Sequence, residues 1–355
     1  MPRVVVLGAG QAGLSAAAHL VRRGLTPGDD LVVLDANDGP GGAWRHRWDD
    51  LTLGRAHRVA DLPGFPLGEP DPDEPASAVV SRYYGAFEER LGLAVVRPVR
   101  VDAVTAEPDG TLAVRAGEHV WATRFLVNAT GTWDRPFWPA YPGRDLFAGR
   151  QLHTHDFVTA AEFAGRHVVV VGGGTSAVQF LLLLDAAGAA TTWVTRRPPN
   201  WTDRAFDDAW GRDVEATVSA RTSAGLPTLS VVAATGLPLT SDYRHGIESG
   251  LLVSAGPLRA LTRDGILLAD GRAVRADAVL WATGFRPSLG HLAPLGLREP
   301  GGGVRLDGVR AVRDPRVFLV GYGASASTLG ATRAGREAAR GVLAALAEAG
   351  EGVRA

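Results

Sequence analysis

The sequence of 355 residues contains no cysteine and no lysine. Without cysteine the chain forms no disulfide, no cysteine-ligated metal site and no dithiol relay of the CxxC kind. Without lysine, Schiff-base chemistry and a lysine general base are excluded too, and every basic side chain other than histidine is arginine.

Two further absences exclude classes of partner. Lys+Arg 37 against Asp+Glu 38 gives a net charge of -1, so we expect no partner nucleic acid and no anionic membrane surface. The apolar runs Val4–Leu7 and Phe180–Leu184 are far too short for a signal-peptide core or a membrane span. With 46% hydrophobic and 21% charged residues, the composition predicts a globular cytoplasmic protein of about two domains.

A βαβ pattern with a glycine turn occurs twice. Arg3–Gly24 predicts a strand, the turn GAGQAG and a helix, and Leu31–Asp38 supplies the next strand. His167–Gly188 and Thr191–Arg197 repeat the arrangement around the turn GGGTSA. In each unit a later apolar strand ends in Ala-Thr-Gly, which supports the duplication.

This order predicts an α/β fold of two Rossmann-like dinucleotide-binding domains, the second inserted into the first. A strand at Val317–Gly323 and a helix over Gly335–Ala349 are expected to return to the first domain. The predicted boundaries are residues 1–158 and 287–355 for the first domain and 159–286 for the inserted domain.

The first glycine turn has the GxGxxG spacing of a pyrophosphate site. Gly8 permits the turn, Gly10 lets the phosphates approach the backbone, and Gly13 lets helix and strand pack closely. Asp35 ends the next strand about 20 residues on, where a carboxylate can bind ribose hydroxyls. The alternative, a glycine turn without a ligand, fits this context less well.

The second turn, Gly172–Ala177, has alanine in place of the third glycine. Arg196 and Arg197 end its following strand, where the first unit has an acid. Guanidinium groups can bind a 2′-phosphate through charge-assisted hydrogen bonds worth about 1.5 to 3 kcal/mol, which predicts a preference for NADPH over NADH of about one to two powers of ten. The alternative is two surface arginines. Two different sites indicate FAD that stays bound and NADPH that exchanges, so that the NADP domain is inserted into the FAD domain.

The stretch FAGRQLHTHDF joins the two units. Its histidines, His153 and His155, have no third ligand nearby in sequence, so no metal site is expected. The stretch meets the fingerprint FxGxxxHxxx(Y/F/W) at Phe147, Gly149, His153 and Phe157, and here the chain resembles the class B flavoprotein monooxygenases. Its middle and C-terminal parts look most like the compact flavin-containing monooxygenases that include the plant indole-3-pyruvate enzymes.

The resemblance covers nearly the whole chain. It is carried by GAGQAG, GGAWR (Gly41–Arg45), LTLGRAHRVADLPGFP (Leu51–Pro66), NATGTWDRP (Asn128–Pro136), GGGTSA, LWATGF (Leu280–Phe285) and VGYGASASTLGA (Val320–Ala331). It implies that NADPH reduces FAD, that dioxygen adds at flavin C4a, and that the resulting (hydro)peroxyflavin transfers one oxygen atom to a small organic substrate.

The resemblance also implies binding residues. Those for FAD are Gly8, Gly10, Gln11, Ala12, Gly13, Asp35, Gly42, Trp44, Arg45, Val101, Thr130, Gly131 and Gly321. Those for NADP are Gly172, Gly173, Gly174, Thr175, Ser176, Arg196, Arg197, Thr283 and Gly284. His153 would couple the linker to NADP placement; the alternative is a loop histidine without that role.

The chain departs from the family pattern in three places. No Asn lies between Leu51 and Pro66, where many flavin-containing monooxygenases have one, so His57 or Arg58 are candidates to replace it. Around residues 242–245 there is no clear counterpart of the arginine loop of Baeyer-Villiger members, which disfavours ketone oxidation. Tyr322 stands where many related flavoproteins have Asp, which favours the compact monooxygenases.

Two other functions remain as alternatives. A reductase similar to ferredoxin reductases would pass electrons from NADPH through FAD to a partner protein, although the fingerprint is not expected there. A redox sensor that binds NADP would leave the FAD unit unexplained. Fold-level likeness does not choose among amine, sulfide, oxo-acid and ketone substrates. Four tryptophans either wall an apolar pocket or pack the domains: Trp133, Trp138, Trp201 and Trp210.

Overall fold

The computed structural model describes residues 1–56, 59–203, 208–228 and 236–350, except for the side chains of residues 208–215 and 328. The helices are α1 (Gln11–Val21), α2 (Ala76–Leu91), α3 (Thr175–Ala186), α4 (Asp208–Ser223), α5 (Ser241–Glu248) and α6 (Thr328–Glu348). The strands are β1 (Val4–Leu7), β2 (Leu31–Leu34), β3 (Ala103–Ala106), β4 (Leu112–Ala116), β5 (His119–Thr123), β6 (Phe125–Asn128), β7 (Arg150–His153), β8 (His167–Val171), β9 (Ala190–Val194), β10 (Trp201–Thr202), β11 (Leu237–Pro238), β12 (Leu258–Thr262), β13 (Gly265–Leu268), β14 (Ala273–Arg275), β15 (Ala278–Trp281), β16 (Leu306–Asp307), β17 (Arg310–Ala311) and β18 (Val317–Leu319).

The first sheet has the strand order β16-β17-β18-β6-β1-β2, in which β18, β6, β1 and β2 run parallel. Its central strands β1 and β6 are buried at every residue and apolar except for Asn128, as parallel strands covered on both faces require. Helices α1 and α6 pack closely on each other, since a Cβ at Gly335 would lie 2.7 Å from the backbone nitrogen of Ala16.

The second sheet is parallel throughout, in the order β7-β15-β8-β9. All its strands fall between β6 and β16 in the sequence. The α/β fold with one Rossmann-like unit inserted into another is therefore confirmed. Two antiparallel meanders, β3-β4-β5 and β12-β13-β14, accompany the two parallel sheets.

The start of the last helix and the position of β7 differ from the sequence-based expectation. The last helix begins at Thr328 and ends at Glu348, so the predicted start at Gly335 is wrong; the Ser327 hydroxyl caps the helix by accepting from the Gly330 nitrogen at 3.1 Å. Strand β7 lies before the predicted boundary at residue 159 but pairs with β15 in the second sheet. We therefore propose a domain boundary on the N-terminal side of β7.

None of the described helices is long and apolar enough to cross a membrane.

Candidate active site

The first glycine turn joins β1 to α1, and at two of its glycines there is no room for a side chain. A Cβ at Gly8, where φ is +98°, would lie 2.5 Å from the Ala129 carbonyl oxygen, and one at Gly13 would lie 1.8 Å from the Gly8 carbonyl oxygen. Gly10 caps α1 without a side-chain hydrogen bond, and its nearest neighbour would be 3.9 Å from a Cβ. The helix N-terminus thus presents backbone amides to open space.

These amides face a cleft of about 1370 Å³, counting the open space at its mouth. The residues implied for FAD that line it are Gly8, Gly10, Gln11, Ala12, Asp35, Gly42, Trp44, Val101, Thr130, Gly131 and Gly321. Gly13 and Arg45 are not among its lining residues. Lining residues that the sequence did not single out include Asn37, His46, Arg47, Arg100, Ser288, His291 and Ser325–Ser327.

Asp35 is oriented by the backbone. Its Oδ2 accepts from the Ala9 nitrogen at 2.6 Å and its Oδ1 from the Asn37 nitrogen at 2.8 Å. Arg97 lies 3.9 Å from Oδ1 and makes two hydrogen bonds of 2.7 Å to Glu88. The carboxylate is therefore held at the cleft wall with a cation behind it.

The Gln11 side chain links several structural elements through hydrogen bonds. Its Oε1 accepts from the Tyr84 hydroxyl at 2.5 Å, while its Nε2 donates to the Ala60 carbonyl at 3.0 Å and to Thr332 Oγ1 at 2.9 Å. Burial raises the pKa of the Tyr84 phenol, so this hydroxyl remains a donor. The glutamine thus joins α1, α2 and α6 at the cleft floor.

Two neighbouring arginines differ in placement. The Arg45 guanidinium donates to the Pro40 carbonyl at 2.7 Å and forms an ion pair with the Asp38 carboxylate. The Arg47 guanidinium lies over the Trp133 ring, 4.4 Å from its centroid, and 5.9 Å from that of Trp44. Among the described residues Arg47 has no ion pair or side-chain hydrogen bond, and burial lowers its pKa to about 10.

The second glycine turn is built like the first. A Cβ at Gly172 would lie 2.2 Å from the Ala282 carbonyl oxygen, whereas Gly173 and Gly174 have nothing within 4 Å. The Trp193 indole donates to the Gly172 carbonyl at 2.7 Å, which fixes the turn against β9. Gly174 caps α3 without a side-chain hydrogen bond, so this turn also offers free amides.

Arg196 and Arg197 follow β9 on the same edge of the sheet. Both are exposed. Neither makes an ion pair with any part of the chain that the structure describes. The Thr195 hydroxyl before them is fixed by Ser254, 2.7 Å away. Two exposed guanidinium groups thus lie one and two residues beyond Thr195, which corresponds in register to Asp35 of the first unit.

The two connections between the sheets pair with each other. The backbone nitrogen of Phe137 donates to the Gly284 carbonyl at 2.9 Å, and the backbone nitrogen of Arg286 donates to the Arg135 carbonyl at 2.7 Å. The two bonds flank an antiparallel bridge. The Thr283 hydroxyl adds a bond of 2.5 Å to the Phe137 carbonyl. Thr283 and Gly284, implied for NADP, therefore belong to this paired linker.

His153 ends β7 and is fully buried against the linker. Its Nε2 lies 3.0 Å from the Gly284 carbonyl, and its Nδ1 accepts from the His155 nitrogen at 3.1 Å. These partners define a neutral ring with the proton on Nε2. Burial lowers its pKa to about 4. Phe285 and Trp138 pack on the ring, with centroids 5.0 and 5.7 Å away.

The rest of the fingerprint has a packing role. Gly149 is required because a Cβ there would lie 2.5 Å from both the Asp277 carbonyl oxygen and the Phe147 ring. Phe157 is buried between Phe180, 4.5 Å away, and Trp48, 6.0 Å away. The stretch therefore packs the linker against α3 and against the segment that follows the first cleft.

The remaining sequence candidates are spread over several places. His57 and Arg58 lie outside the described residues, as does the side chain of Trp210. Trp133 lines the cleft, Trp138 packs on the linker, and Trp201 packs on Trp193 and Tyr243. The Tyr322 hydroxyl accepts from the Val304 nitrogen at 3.1 Å rather than lining the cleft.

One buried pair at the cleft had no sequence signal. His291 Nε2 lies 2.6 Å from Asn128 Oδ1, and burial lowers the histidine pKa to about 4. Beside it the Thr130 hydroxyl donates to the Ser288 carbonyl at 2.7 Å. These contacts close the cleft between β6 and the second connection.

Both glycine turns, the cleft and the paired linker define a protein that binds two dinucleotides. A family profile described as pyridine nucleotide-disulphide oxidoreductase matches residues 5–231. A flavin-containing monooxygenase from Stenotrophomonas maltophilia is 36% identical with a TM-score of 0.80, over 97% of this chain and 99% of that one. The chain belongs to this oxidoreductase family and, within it, to the flavin-dependent monooxygenases.

Two further relatives agree with the class B resemblance, which is confirmed. The indole-3-pyruvate monooxygenase YUCCA1 of Oryza sativa subsp. japonica is 28% identical over 350 residues, 89% of this chain and 83% of the relative. A solved complex of OTEMO with FAD and NADP is 19% identical with a TM-score of 0.66, over 98% of this chain and 86% of that one. The latter likeness concerns the fold alone.

Proposed function

We propose that this protein is an NADPH- and FAD-dependent monooxygenase that transfers one oxygen atom from dioxygen to a small organic substrate. The observation that carries the proposal is a duplicated glycine turn whose two copies end in opposite charge. Asp35 directly follows the second strand of the first unit, and Arg196 and Arg197 follow the corresponding strand of the second unit after Thr195. One site suits a free ribose, the other a phosphorylated one.

The cleft residues fit FAD. Free amides at the start of α1, an open approach at Gly10 and the unpartnered guanidinium of Arg47 all favour an anion there. The carboxylate of Asp35 would accept from the ribose hydroxyls. Gly42, Trp44, Val101, Thr130, Gly131 and Gly321 would line the remainder of the dinucleotide.

The second turn fits NADP. Gly172, Gly173, Gly174, Thr175 and Ser176 would hold the pyrophosphate, because the backbone is open on the outer side of Gly173 and Gly174. The exposed guanidinium groups that follow β9 would bind the 2′-phosphate. This supports a preference for NADPH over NADH of about 10- to 100-fold.

The linker would set the distance between the two dinucleotides. His153 bonds to the Gly284 carbonyl, and Phe285 stacks on Trp133 with centroids 5.0 Å apart, so one paired ribbon contacts both the second sheet and the first cleft. A change at the NADP side would therefore move Trp133 at the cleft wall. This supports a coupling role for His153 without direct contact with the reacting atoms.

Bound FAD, reduced by NADPH, supplies the activation of dioxygen. The chain would contribute the binding and orientation described above and the exclusion of water by the aromatic linker. The name of the rice relative, indole-3-pyruvate monooxygenase, and the likeness to the Stenotrophomonas enzyme support oxygen transfer rather than electron transfer to a partner protein.

The test is rapid mixing of the NADPH-reduced protein, with NADP⁺ bound, with oxygenated buffer. We expect a transient absorbing in the near ultraviolet before the oxidised flavin spectrum returns, and incorporation of labelled oxygen into an accepted substrate. Direct return of the oxidised spectrum, with all reducing equivalents recovered as hydrogen peroxide or on an added electron acceptor, contradicts the proposal. A protein that is isolated without flavin and takes up none also contradicts it.

A further inference from the structure

Arg47 is a charged group without an ion-pair partner in the cleft at the first glycine turn. Its side chain is partly buried, it lines the cleft, and no carboxylate or carbonyl among the described residues accepts from its guanidinium. The guanidinium lies over the rings of Trp44 and Trp133, a contact worth roughly 0.5 to 2 kcal/mol. A cation that is partly withdrawn from water and contacts only aromatic faces retains part of its desolvation cost.

A second positive feature points into the same space. The turn that carries Arg47 begins at Gly41 and Gly42, and a Cβ on Gly42 would lie 2.8 Å from the Gly10 Cα. That turn therefore rests on the N-terminus of α1, whose amides carry partial positive charge. A helix N-terminus and an unpartnered guanidinium on one cleft wall favour an anion between them.

The neighbours of Arg47 indicate which part of a dinucleotide lies there. His46, the preceding residue, lies 2.6 Å from Asn37 Oδ1, and the Asn37 nitrogen is bonded to the ribose-binding candidate Asp35. Trp133, on which Arg47 lies, stacks on His46. The guanidinium thus sits between the adenosine side of the cleft and the glycine turn, where the diphosphate of a bound dinucleotide would cross.

We propose that Arg47 binds the diphosphate group of the dinucleotide in the first cleft, held in position by Trp44 and Trp133. The proposal rests on the proposed function, since it requires that this cleft takes FAD. Arg45, two residues earlier, points away to Asp38 and Pro40 and has no such role.

The test compares Arg47→Ala and Arg47→Lys with Arg55→Ala, an exposed arginine nearby that does not line the cleft. FAD is removed from each holoprotein, and the Kd values for FAD and for ADP are measured by flavin fluorescence and by calorimetry. The midpoint potential of the bound flavin and the Kd of the holoprotein for NADP⁺ are measured as well. The melting temperature of each apoprotein shows whether the variants fold.

For Arg47→Ala we expect the Kd values for FAD and ADP to rise by the same factor, about 10- to 100-fold. Arg47→Lys restores most of this loss because it keeps the charge, and Arg55→Ala causes none. The flavin potential and the Kd for NADP⁺ stay as in the wild type. The apoprotein of Arg47→Ala melts at or above the wild-type temperature, since it has lost an unpartnered buried charge.

Four results overturn the inference. Unchanged Kd values for FAD and ADP in Arg47→Ala would mean that the guanidinium does not touch the diphosphate, although FAD binding by the wild type would still uphold the proposed function. A fall in flavin potential with unchanged ADP binding would place Arg47 at the flavin ring. Loss of NADP⁺ affinity alone would place it at the second dinucleotide. A wild-type protein that binds neither FAD nor ADP overturns both proposals.

Discussion

Two buried histidines should make this protein sensitive to mild acid. Burial lowers the pKa of both His153 and His291 from 6.5 to about 4. Between these values the unfolded chain binds protons that the folded chain does not, so folding stability is full above pH 6.5 and falls as the pH falls toward 4. Between pH 7 and pH 5 each histidine lowers the free energy of unfolding by about 2 kcal/mol, and the pair lowers it by about 4 kcal/mol.

The hydrogen bonds explain why neither ring takes a proton easily. His153 Nδ1 accepts from the His155 nitrogen, so a proton on Nδ1 would oppose a donor. His291 donates from Nε2 to Asn128 Oδ1 and is 9% exposed at the cleft wall. Protonating either ring therefore buries a charge without a new partner, and for His153 it also breaks an existing bond.

The measurement is urea-induced unfolding of FAD-saturated protein at pH 5, 6 and 7. We expect His153→Gln and His291→Gln each to reduce the loss of stability between pH 7 and pH 5 by about half. His119→Gln, on the exposed strand β5, serves as the control. If the double variant keeps the full loss of the wild type, burial of these two rings is not its cause.

Three other changes test the sites. Replacing Arg196 and Arg197 by Ala should lower the ratio of kcat/KM for NADPH to that for NADH by about 10- to 100-fold; an unchanged ratio contradicts the assignment. Gly13→Ala should cost about 3 kcal/mol or more, since its Cβ would lie 1.8 Å from a carbonyl oxygen; full flavin content and an unchanged melting temperature would refute this. Trp193→Phe removes the donor to the Gly172 carbonyl, so it should lower the free energy of unfolding by about 1 kcal/mol and raise the KM for NADPH. A KM equal to that of the wild type would show that this hydrogen bond does not position the turn for NADPH.

The parallel sheets and their glycine turns could be predicted because their signals are local. Apolar runs such as Val4–Leu7 need two covered faces, and the glycine spacing of each turn is read within a few residues. At Gly13 the structural reason is local too, because a Cβ there would lie 1.8 Å from the Gly8 carbonyl oxygen. The charge difference between the units is also local, because Asp35 follows β2 directly and Arg196 follows β9 after Thr195.

Features that depend on contacts between distant segments could not be predicted. Gly335 suggested a helix start, but it is a helix-interior glycine that lets α6 approach α1, and the cap is Ser327. Whether Arg45 or Arg47 lines the cleft depends on which side of a short turn faces it. His291 has no pattern around it, since its partner Asn128 is 163 positions away in the sequence.

The family profile carries the name of disulphide chemistry, yet this chain of 355 residues has no cysteine to accept electrons from a flavin. The fold alone therefore does not determine where the electrons go. In this chain Trp133 packs between His155 and Phe285, so aromatic side chains occupy the space between the cleft and the linker. An aromatic wall suits a reaction in which reduced flavin meets dioxygen and an organic molecule, because keeping water from such a site limits the loss of the activated oxygen as hydrogen peroxide.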